Sequence, residues 1–133
     1  MILLDTNICI YIINAKPPNV LKRFQQYRMG DIGLCSVVAA ELAFGVAKSG
    51  SARNRLALDM FLAPLTVLPF DADAIWVYGD LRANLERNGT PIGSLDTMIA
   101  AHALSQRAPL VTNNTREFAK VPGLVLDNWA QAI

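Results

Sequence analysis

Three acidic residues lie where the surrounding sequence is almost wholly apolar. Asp5 ends the first apolar run, Glu41 lies within the apolar segment 37–43, and Asp96 opens an apolar helical segment. None of them has a Lys or Arg three or four residues away, so no ion pair along a helix neutralises them. A carboxylate in such surroundings is costly unless it is paired, hydrogen-bonded or bound to a metal. We therefore expect the three acids to share one site.

Three carboxylates held together also define the chemistry of such a site. They repel one another, and some would stay protonated unless a cation neutralises them. Mg²⁺ takes oxygen ligands, retains several waters and commonly binds one or two carboxylates with a substrate phosphate. It activates water and stabilises charge on a phosphoryl oxygen, which predicts hydrolysis of a phosphodiester. Asp5 and Asp96 would hold the metal, and Glu41 would complete the site and orient or deprotonate the attacking water.

Two of these acids also have a purely structural explanation. Asp5 is placed to cap the helix that follows it, and Asp96 to complement the dipole in the first turn of its helix. Glu41 is harder to explain in this way, because it lies in the middle of an apolar helical segment. His102 is the only histidine. It lies about 240° around the helix from Asp96 and is expected to be structural.

The composition limits the class of protein. A chain of 133 residues is expected to form one domain, 1–133, and 53% hydrophobic against 17% charged residues excludes disorder. A net charge of +1 excludes a strongly basic nucleic-acid wrapper, although not a local basic patch. No run approaches the ~18–20 apolar residues of a membrane span, and no signal peptide is visible, which favours a cytoplasmic protein. Cys9 and Cys35 are expected to be buried free thiols.

Short apolar runs alternate with helical segments along the chain. The runs predict buried strands at Ile2–Leu4, Ile32–Cys35, 65–68, 110–112 and 124–126. Capping residues for the helices between them are Thr6 and Asn7, Asn19, Ser36, Asp71 or Asp73, and Ser94. The helix over 37–46 is expected to be buried. This alternation predicts an α/β fold whose parallel sheet is covered on both faces, with ligands beyond the carboxyl ends of the strands.

Several motifs in order resemble the PIN domain, and most closely its VapC-type toxins of type II toxin–antitoxin systems. They are Leu4-Asp5-Thr6-Asn7, Ala40-Glu41-Leu42 with Gly45, Asp96 leading into Ile99-Ala100-Ala101-His102-Ala103, and the ending that runs from Val111-Thr112-Asn113-Asn114 to Asp127-Asn128-Trp129. The resemblance covers nearly the whole chain. It implies a three-layer α/β/α sandwich around a mostly parallel sheet of four or five short strands.

The resemblance also implies an activity, a cofactor and partners. It implies an endoribonuclease toxin dependent on Mg²⁺ or Mn²⁺, neutralised by a VapB-type antitoxin in a hetero-oligomer, and commonly a homodimer. Many members cut transfer RNA, and close relatives of this pattern are associated with the anticodon loop of initiator tRNA. Asp5, Glu41 and Asp96 match the family's three acidic metal-site positions, and Thr6 and Asn7 match the polar pair beside the first acid.

The chain departs from the family pattern at one position. Many PIN domains place a fourth acid where this chain has Asn114. An amide accepts a hydrogen bond from a metal-bound water but adds no charge. Glu117, three residues further on, is the candidate substitute, and a second strongly bound metal is not expected. Arg116, on the same loop, is the candidate for a substrate phosphate.

Two other functions remain open from the sequence. One is a PIN-like module that binds RNA or protein without cutting, and the other is a phosphohydrolase that acts on small nucleotides. Four aromatic residues are expected in the core or an interface rather than as base-stacking platforms: Phe44, Phe61, Trp76 and Tyr78.

Overall fold

Five parallel strands form the centre of the molecule. The structure is a computed structural model and describes residues 1–131. The strands are β1 (Ile2–Leu4), β2 (Ile32–Cys35), β3 (Thr66–Leu68), β4 (Leu110–Val111) and β5 (Leu126–Asp127). The helices are α1 (Thr6–Asn14), α2 (Pro18–Gln25), α3 (Ser36–Ser49), α4 (Ala52–Leu62), α5 (Ala72–Arg87), α6 (Ser94–Gln106) and α7 (Thr115–Phe118), with a 3₁₀ turn at Met29–Asp31. The predicted α/β architecture is confirmed, and the five strands are all parallel.

The strand order places a switch point beside β1. The order is β3-β2-β1-β4-β5, so the chain proceeds from β1 to one side through β2 and β3, and then returns to the other side through β4. Leu3 pairs with both Gly33 and Leu110, which fixes the register of the three central strands. The side chains that follow β1 and β4 therefore meet at one edge of the sheet, where ligands bind in such folds.

The buried side chains explain why the three central runs become strands, whereas the predicted burial is wrong for the edge strands, since β3 is mostly exposed and β5 is half-buried. All four residues of β2 are buried, as are Leu3 and Leu4 of β1 and both residues of β4. Strands that are apolar on both faces require helices above and below them. Cys9 and Cys35 are free and buried, as predicted. Within residues 1–131 no helix has both the length and the apolar composition that crossing a membrane requires.

Several predicted helix starts are wrong by one or two residues. Asp5, rather than Thr6 or Asn7, precedes α1 and accepts the hydrogen bond of its first turn. Pro17 precedes α2, because the side chain of Asn19 instead donates to the carbonyl of Ala130. Ser36 is the first residue of α3, and its hydroxyl accepts from the backbone of Phe70.

One further helix start and three strands also differ from the prediction: β3 begins at Thr66 instead of 65, and β4 ends at Val111 instead of 112. Gly93 precedes α6, with Ser94 as its first residue, whereas Asp71 caps α5 as predicted. The last strand lies at 126–127 instead of 124–126, since pairing with Leu110 and Val111 begins only at Leu126.

Helix α3 is less buried than predicted. Only Val38 and Leu42 are buried, because a single side of the helix faces the core. Phe44 is 67% exposed on this helix, and Trp76 is 75% exposed on α5. A core position is therefore wrong for these two aromatics, whereas Phe61 and Tyr78 are half-buried against the core.

The last strand is held in place by one cluster around a buried tryptophan. Trp129 stacks on Tyr27 with ring centroids 5.3 Å apart, and the guanidinium of Arg23 lies over its ring. Asp127 accepts from both Arg23 and the indole Nε1 of Trp129, each at 3.1 Å. Asp127 is thus a strand residue that joins β5 to α2.

Candidate active site

Asp5 occupies the switch point between β1 and β4 and is 5% exposed. Its Oδ1 accepts from the backbone nitrogen of Thr6 at 2.8 Å, and its Oδ2 accepts from the hydroxyl of Thr112 at 2.7 Å. Burial raises the pKa of the Asp5 carboxyl above its ordinary value, and the two hydrogen bonds oppose that rise. Asp5 thus caps α1 and also presents a largely desolvated carboxylate at the carboxyl end of the sheet.

Thr112 is the residue of this site that the sequence did not reveal. It is fully buried directly after β4, and its hydroxyl also accepts from the backbone nitrogen of Asn114 at 3.0 Å. Its hydrogen bonds therefore fix the carboxylate of Asp5 and the start of the loop that carries Asn114. In the sequence, Thr112 is only a hydroxyl residue directly after an apolar run. Such residues are common and do not by themselves indicate a functional site.

Glu41 reaches the site from α3 through Thr6. The hydroxyl of Thr6 donates to Oε1 of Glu41 at 3.0 Å, while the backbone of Thr6 donates to Asp5. One residue at the start of α1 thus orients two of the three acids. Asn7, the second member of the predicted polar pair, is exposed, and its side chain makes no hydrogen bond with another described residue.

Asp96 lies in the first turn of α6, close to the other acids. Partial burial raises its pKa to about 6, and the negative charges of Asp5, Glu41 and Glu117 contribute further to the rise. No basic side chain offsets this repulsion in the part of the chain that the structure describes. The structure therefore brings together Asp5, Glu41 and Asp96, the three acids that the sequence singled out.

The segment after β4 contributes Asn114, which precedes α7, and Arg116 and Glu117, which lie on α7 rather than on the predicted loop. Asn114 is half-buried, and the exposed side chain of Arg116 makes no ion pair with any described residue. Glu117 lies near enough to Asp96 to raise its pKa, but both its carboxylate oxygens accept from Lys120, at 3.2 and 3.3 Å. This ion pair partly neutralises the one acid that stands near the fourth position.

The arrangement of the acids is suited to binding a hard divalent cation, which would neutralise their mutual repulsion. Its donors are all oxygens, and two of its carboxylates are desolvated by burial, which no hydrogen-bonding cation of the described chain offsets. Across residues 1–131 no three Asp, Glu, His or Cys side chains are placed to hold an ion by themselves. One or two carboxylates with waters and a phosphate are what Mg²⁺ accepts.

His102 lies in the core and does not contribute to the site. It is fully buried in α6, and neither ring nitrogen has a hydrogen-bond partner in the described chain. Burial lowers the pKa of its imidazole, which favours the neutral ring. The prediction that His102 is structural agrees with this position.

Comparison with known proteins identifies the class. The model of the PIN domain matches residues 2–124. The chain is 43% identical over 129 residues to ribonuclease VapC2 of Rickettsia felis, covering 96% of both chains. It is also 43% identical to the tRNA(fMet)-specific endonuclease VapC of Shigella flexneri, covering 96% of this chain and 97% of that one. The solved VapBC2 structure from Rickettsia felis, bound to a promoter DNA fragment, superposes with a TM-score of 0.88 at 41% identity, covering 97% of this chain and 99% of that one.

The chain belongs to the PIN domain family. Within that family, its similarity is to the VapC ribonucleases, and the solved structure of DNA-bound VapBC from Salmonella typhimurium also has a TM-score of 0.88, at 39% identity over 97% of this chain and 99% of that one. The residues that match the family model include strands β1 to β4 and the three acids Asp5, Glu41 and Asp96.

Proposed function

We propose that this chain is a metal-dependent endoribonuclease toxin that cuts tRNA and is neutralised by a VapB-type antitoxin. The observation that carries the proposal is the convergence of Asp5, Glu41 and Asp96 at the switch point, without a basic partner among the described residues. The names of the relatives support the substrate, because one of them is a tRNA(fMet)-specific endonuclease. The anticodon loop of initiator tRNA is therefore the first RNA target to test.

The proposed mechanism depends on how this chain holds its acids. Asp5 and Asp96 would bind Mg²⁺ or Mn²⁺, which supplies Lewis-acid stabilisation of the phosphoryl oxygens and activation of water. Thr112 and Thr6 fix the two oxygens of Asp5, and Thr6 holds Glu41 where it can orient or deprotonate the attacking water. Arg116 is proposed to contact the substrate phosphate. Asn7 and Asn114 are proposed to form hydrogen bonds to groups beside that phosphate. In-line attack would leave a 5′-phosphate and a 3′-hydroxyl.

The proposed antitoxin site adjoins the acids. A cleft of about 250 Å³ between α1, α3 and α4 has a mostly apolar lining, and Glu41 lies on its rim. The larger apolar residues in its lining are Ile10, Ile13, Leu42, Val46 and Leu58. An apolar antitoxin segment in this cleft would lie directly beside the site. The solved VapBC complexes among the structural relatives support a partner of this kind.

A second copy of the chain is the other proposed partner. Trp76 and Ile75 on α5 are 75% and 55% exposed, and aromatic residues in such positions are typical of interfaces. We propose a homodimer in the cytoplasm, where tRNA is found. Sedimentation of wild type and Trp76→Glu tests the dimer, and an unchanged mass would contradict this interface.

The function is tested by assaying cleavage of purified tRNA with and without Mg²⁺. Hydrolysis of a chromogenic phosphate ester is assayed in parallel. The proposal expects RNA cleavage only with the metal, no cleavage by Asp5→Asn, and no hydrolysis of the ester. Hydrolysis of the ester alone would favour a small-nucleotide phosphohydrolase, and RNA binding without cleavage would favour a non-catalytic module. Overproduction should arrest growth, and Asp5→Ala should abolish the arrest.

A further inference from the structure

One face of α3 carries an acid, an aromatic ring and a base in succession. Val37, Glu41, Phe44 and Lys48 recur at intervals of three and four residues, which places them along one side of the helix. Lys48 is exposed and Phe44 is 67% exposed. The seven residue steps from Glu41 to Lys48 span roughly 10 Å along the helix axis. The face therefore leads away from the acid cluster towards a positive charge.

A cleft follows this face and opens at the acids. It has a volume of about 530 Å³, and Thr6 and Glu41 line it at the site. Val37, Ala40 and Phe44 of α3 form one wall, and Leu95 and Met98 of α6 form the other. Because Thr6 and Glu41 belong to both the cleft and the acid cluster, the cleft is continuous with the candidate active site.

The charge of the chain changes sign along α3. No Asp or Glu occurs between Glu41 and Asp59, whereas Lys48, Arg53 and Arg55 lie in that segment. None of these three bases forms an ion pair in the part of the chain that the structure describes. A purely apolar protein partner would not explain a carboxylate at one end of the face and a cation at the other. A single nucleic-acid strand is a polyanion with flat apolar bases. Its phosphates fit the basic end directly, and they fit the acidic end through the divalent cation of the proposed function.

We propose that this face of α3 is a track for one strand of RNA. The scissile phosphate lies at the acids, a neighbouring base stacks on Phe44, and Lys48 contacts a phosphate further along the strand. Stacking of bases on aromatic side chains and contact of phosphates with basic ones are the usual means of binding single strands. The inference rests on the proposed function, and it makes Phe44 a residue that positions the substrate.

The test measures binding of a fluorescein-labelled single-stranded oligoribonucleotide, and of an abasic strand of the same length, by anisotropy without divalent ions. Phe44→Leu should weaken binding of the normal strand about tenfold and leave the abasic strand unaffected, because only stacking is lost. Phe44→Trp should retain binding. Lys48→Gln should weaken binding of both strands. It should also reduce the slope of the logarithm of the binding constant against the logarithm of the salt concentration by about 0.7. Arg107→Gln, at the far end of α6 from Asp96, is the matched charge control and should change neither.

Three results would overturn the proposal. One is equal binding of the normal strand by Phe44→Leu and wild type, and another is an equal loss with the abasic strand, which would reflect packing alone. The third is conversion of a dimer to a monomer by Phe44→Leu in sedimentation, which would make the face an interface between copies. Cleavage of tRNA by wild type is scored separately. If wild type cuts no RNA while binding still depends on Phe44 and the base, the proposed function fails and the track stands.

Discussion

The hydroxyl of Thr112 donates to the carboxylate of Asp5 across two neighbouring parallel strands, with Oγ1 and Oδ2 separated by 2.7 Å. Both residues directly follow strands that pair in register, and both are buried. The hydrogen bond therefore couples the geometry of the sheet to the orientation of a carboxylate at the site. Thr112 acts on the reaction only through Asp5 and the adjacent loop.

Removing this hydroxyl should impair activity without removing any acid. Thr112→Val conserves shape but deprives Asp5 of a donor, which raises the pKa of that carboxyl. We expect kcat/KM on RNA to fall about tenfold, corresponding to roughly 1.4 kcal/mol, and its acidic limb to move to higher pH. Thr112→Ser retains the donor and is the control. A pH–rate profile of Thr112→Val identical to that of wild type would assign Thr112 to packing alone.

The raised pKa of Asp96 predicts how stability depends on pH without metal. Between the ordinary value of 3.8 and the folded value of about 6, the native protein binds more protons than the unfolded chain. The free energy of unfolding therefore decreases as the pH rises through that window. Asp96→Asn resembles the protonated acid. It should raise the free energy of unfolding at pH 7 by roughly 1 kcal/mol, after allowance for partial exposure, and leave it unchanged at pH 4.

Urea unfolding in EDTA at the two pH values measures this effect. Asp80→Asn, at an exposed position on α5, controls for the loss of a surface charge. A loss of several kcal/mol in Asp96→Asn at pH 7 would show that the acid stabilises the fold. In that case Asp96 would serve to stabilise its helix, and its assignment to the metal site would be wrong.

Asn114 and the Glu117–Lys120 ion pair predict the number of bound metals. Only three carboxylates lack a basic partner at the site, so one divalent ion nearly neutralises them. We expect calorimetry with Mn²⁺ to show at most one tight site per chain without RNA. Asn114→Asp should strengthen binding of a second ion, since it adds a charge at close range. Two tight sites in wild type would mean that Glu117 fills the fourth position despite Lys120.

Two variants in the cluster around Trp129 should separate the contributions of packing and of ion pairing to the free energy of unfolding. Trp129→Ala removes a ring that is 1% exposed and stacks on Tyr27, and should cost roughly 3–5 kcal/mol in the free energy of unfolding. Asp127→Asn keeps an acceptor for the indole and removes only a partly exposed ion pair with Arg23. It should cost less than about 1 kcal/mol. Chemical denaturation of both variants checks the order, and equal costs would contradict it.

The elements and the three acids were predictable because each leaves a signal within a few residues. Apolar runs, breakers and hydroxyl or acidic caps identify strands and helices, and an acid without a nearby base is conspicuous in an apolar segment. The exact helix starts were less predictable. Ser36 and Asn19 have the chemistry of caps, but contacts with Phe70 and Ala130 engage their side chains elsewhere.

Contacts between distant segments explain what the sequence could not reveal. Thr112 becomes a site residue only because β4 pairs with β1, and its type and position are otherwise ordinary. The exposure of Phe44 likewise depends on which side of α3 packs on the core. Its apolar neighbours in the sequence indicated burial, whereas only Val38 and Leu42 point inward.

The hydrogen bond between Thr112 and Asp5 joins residues 107 positions apart, and this has a consequence during synthesis of the chain. At about 5–20 residues per second, Asp5 leaves the ribosome several seconds before Thr112. Until β4 has emerged, Oδ2 of Asp5 lacks the hydroxyl of Thr112, and only the backbone of Thr6 holds the carboxylate. A nascent or prematurely terminated chain therefore lacks the complete arrangement of acids, and the site is assembled only when translation of the chain is nearly finished.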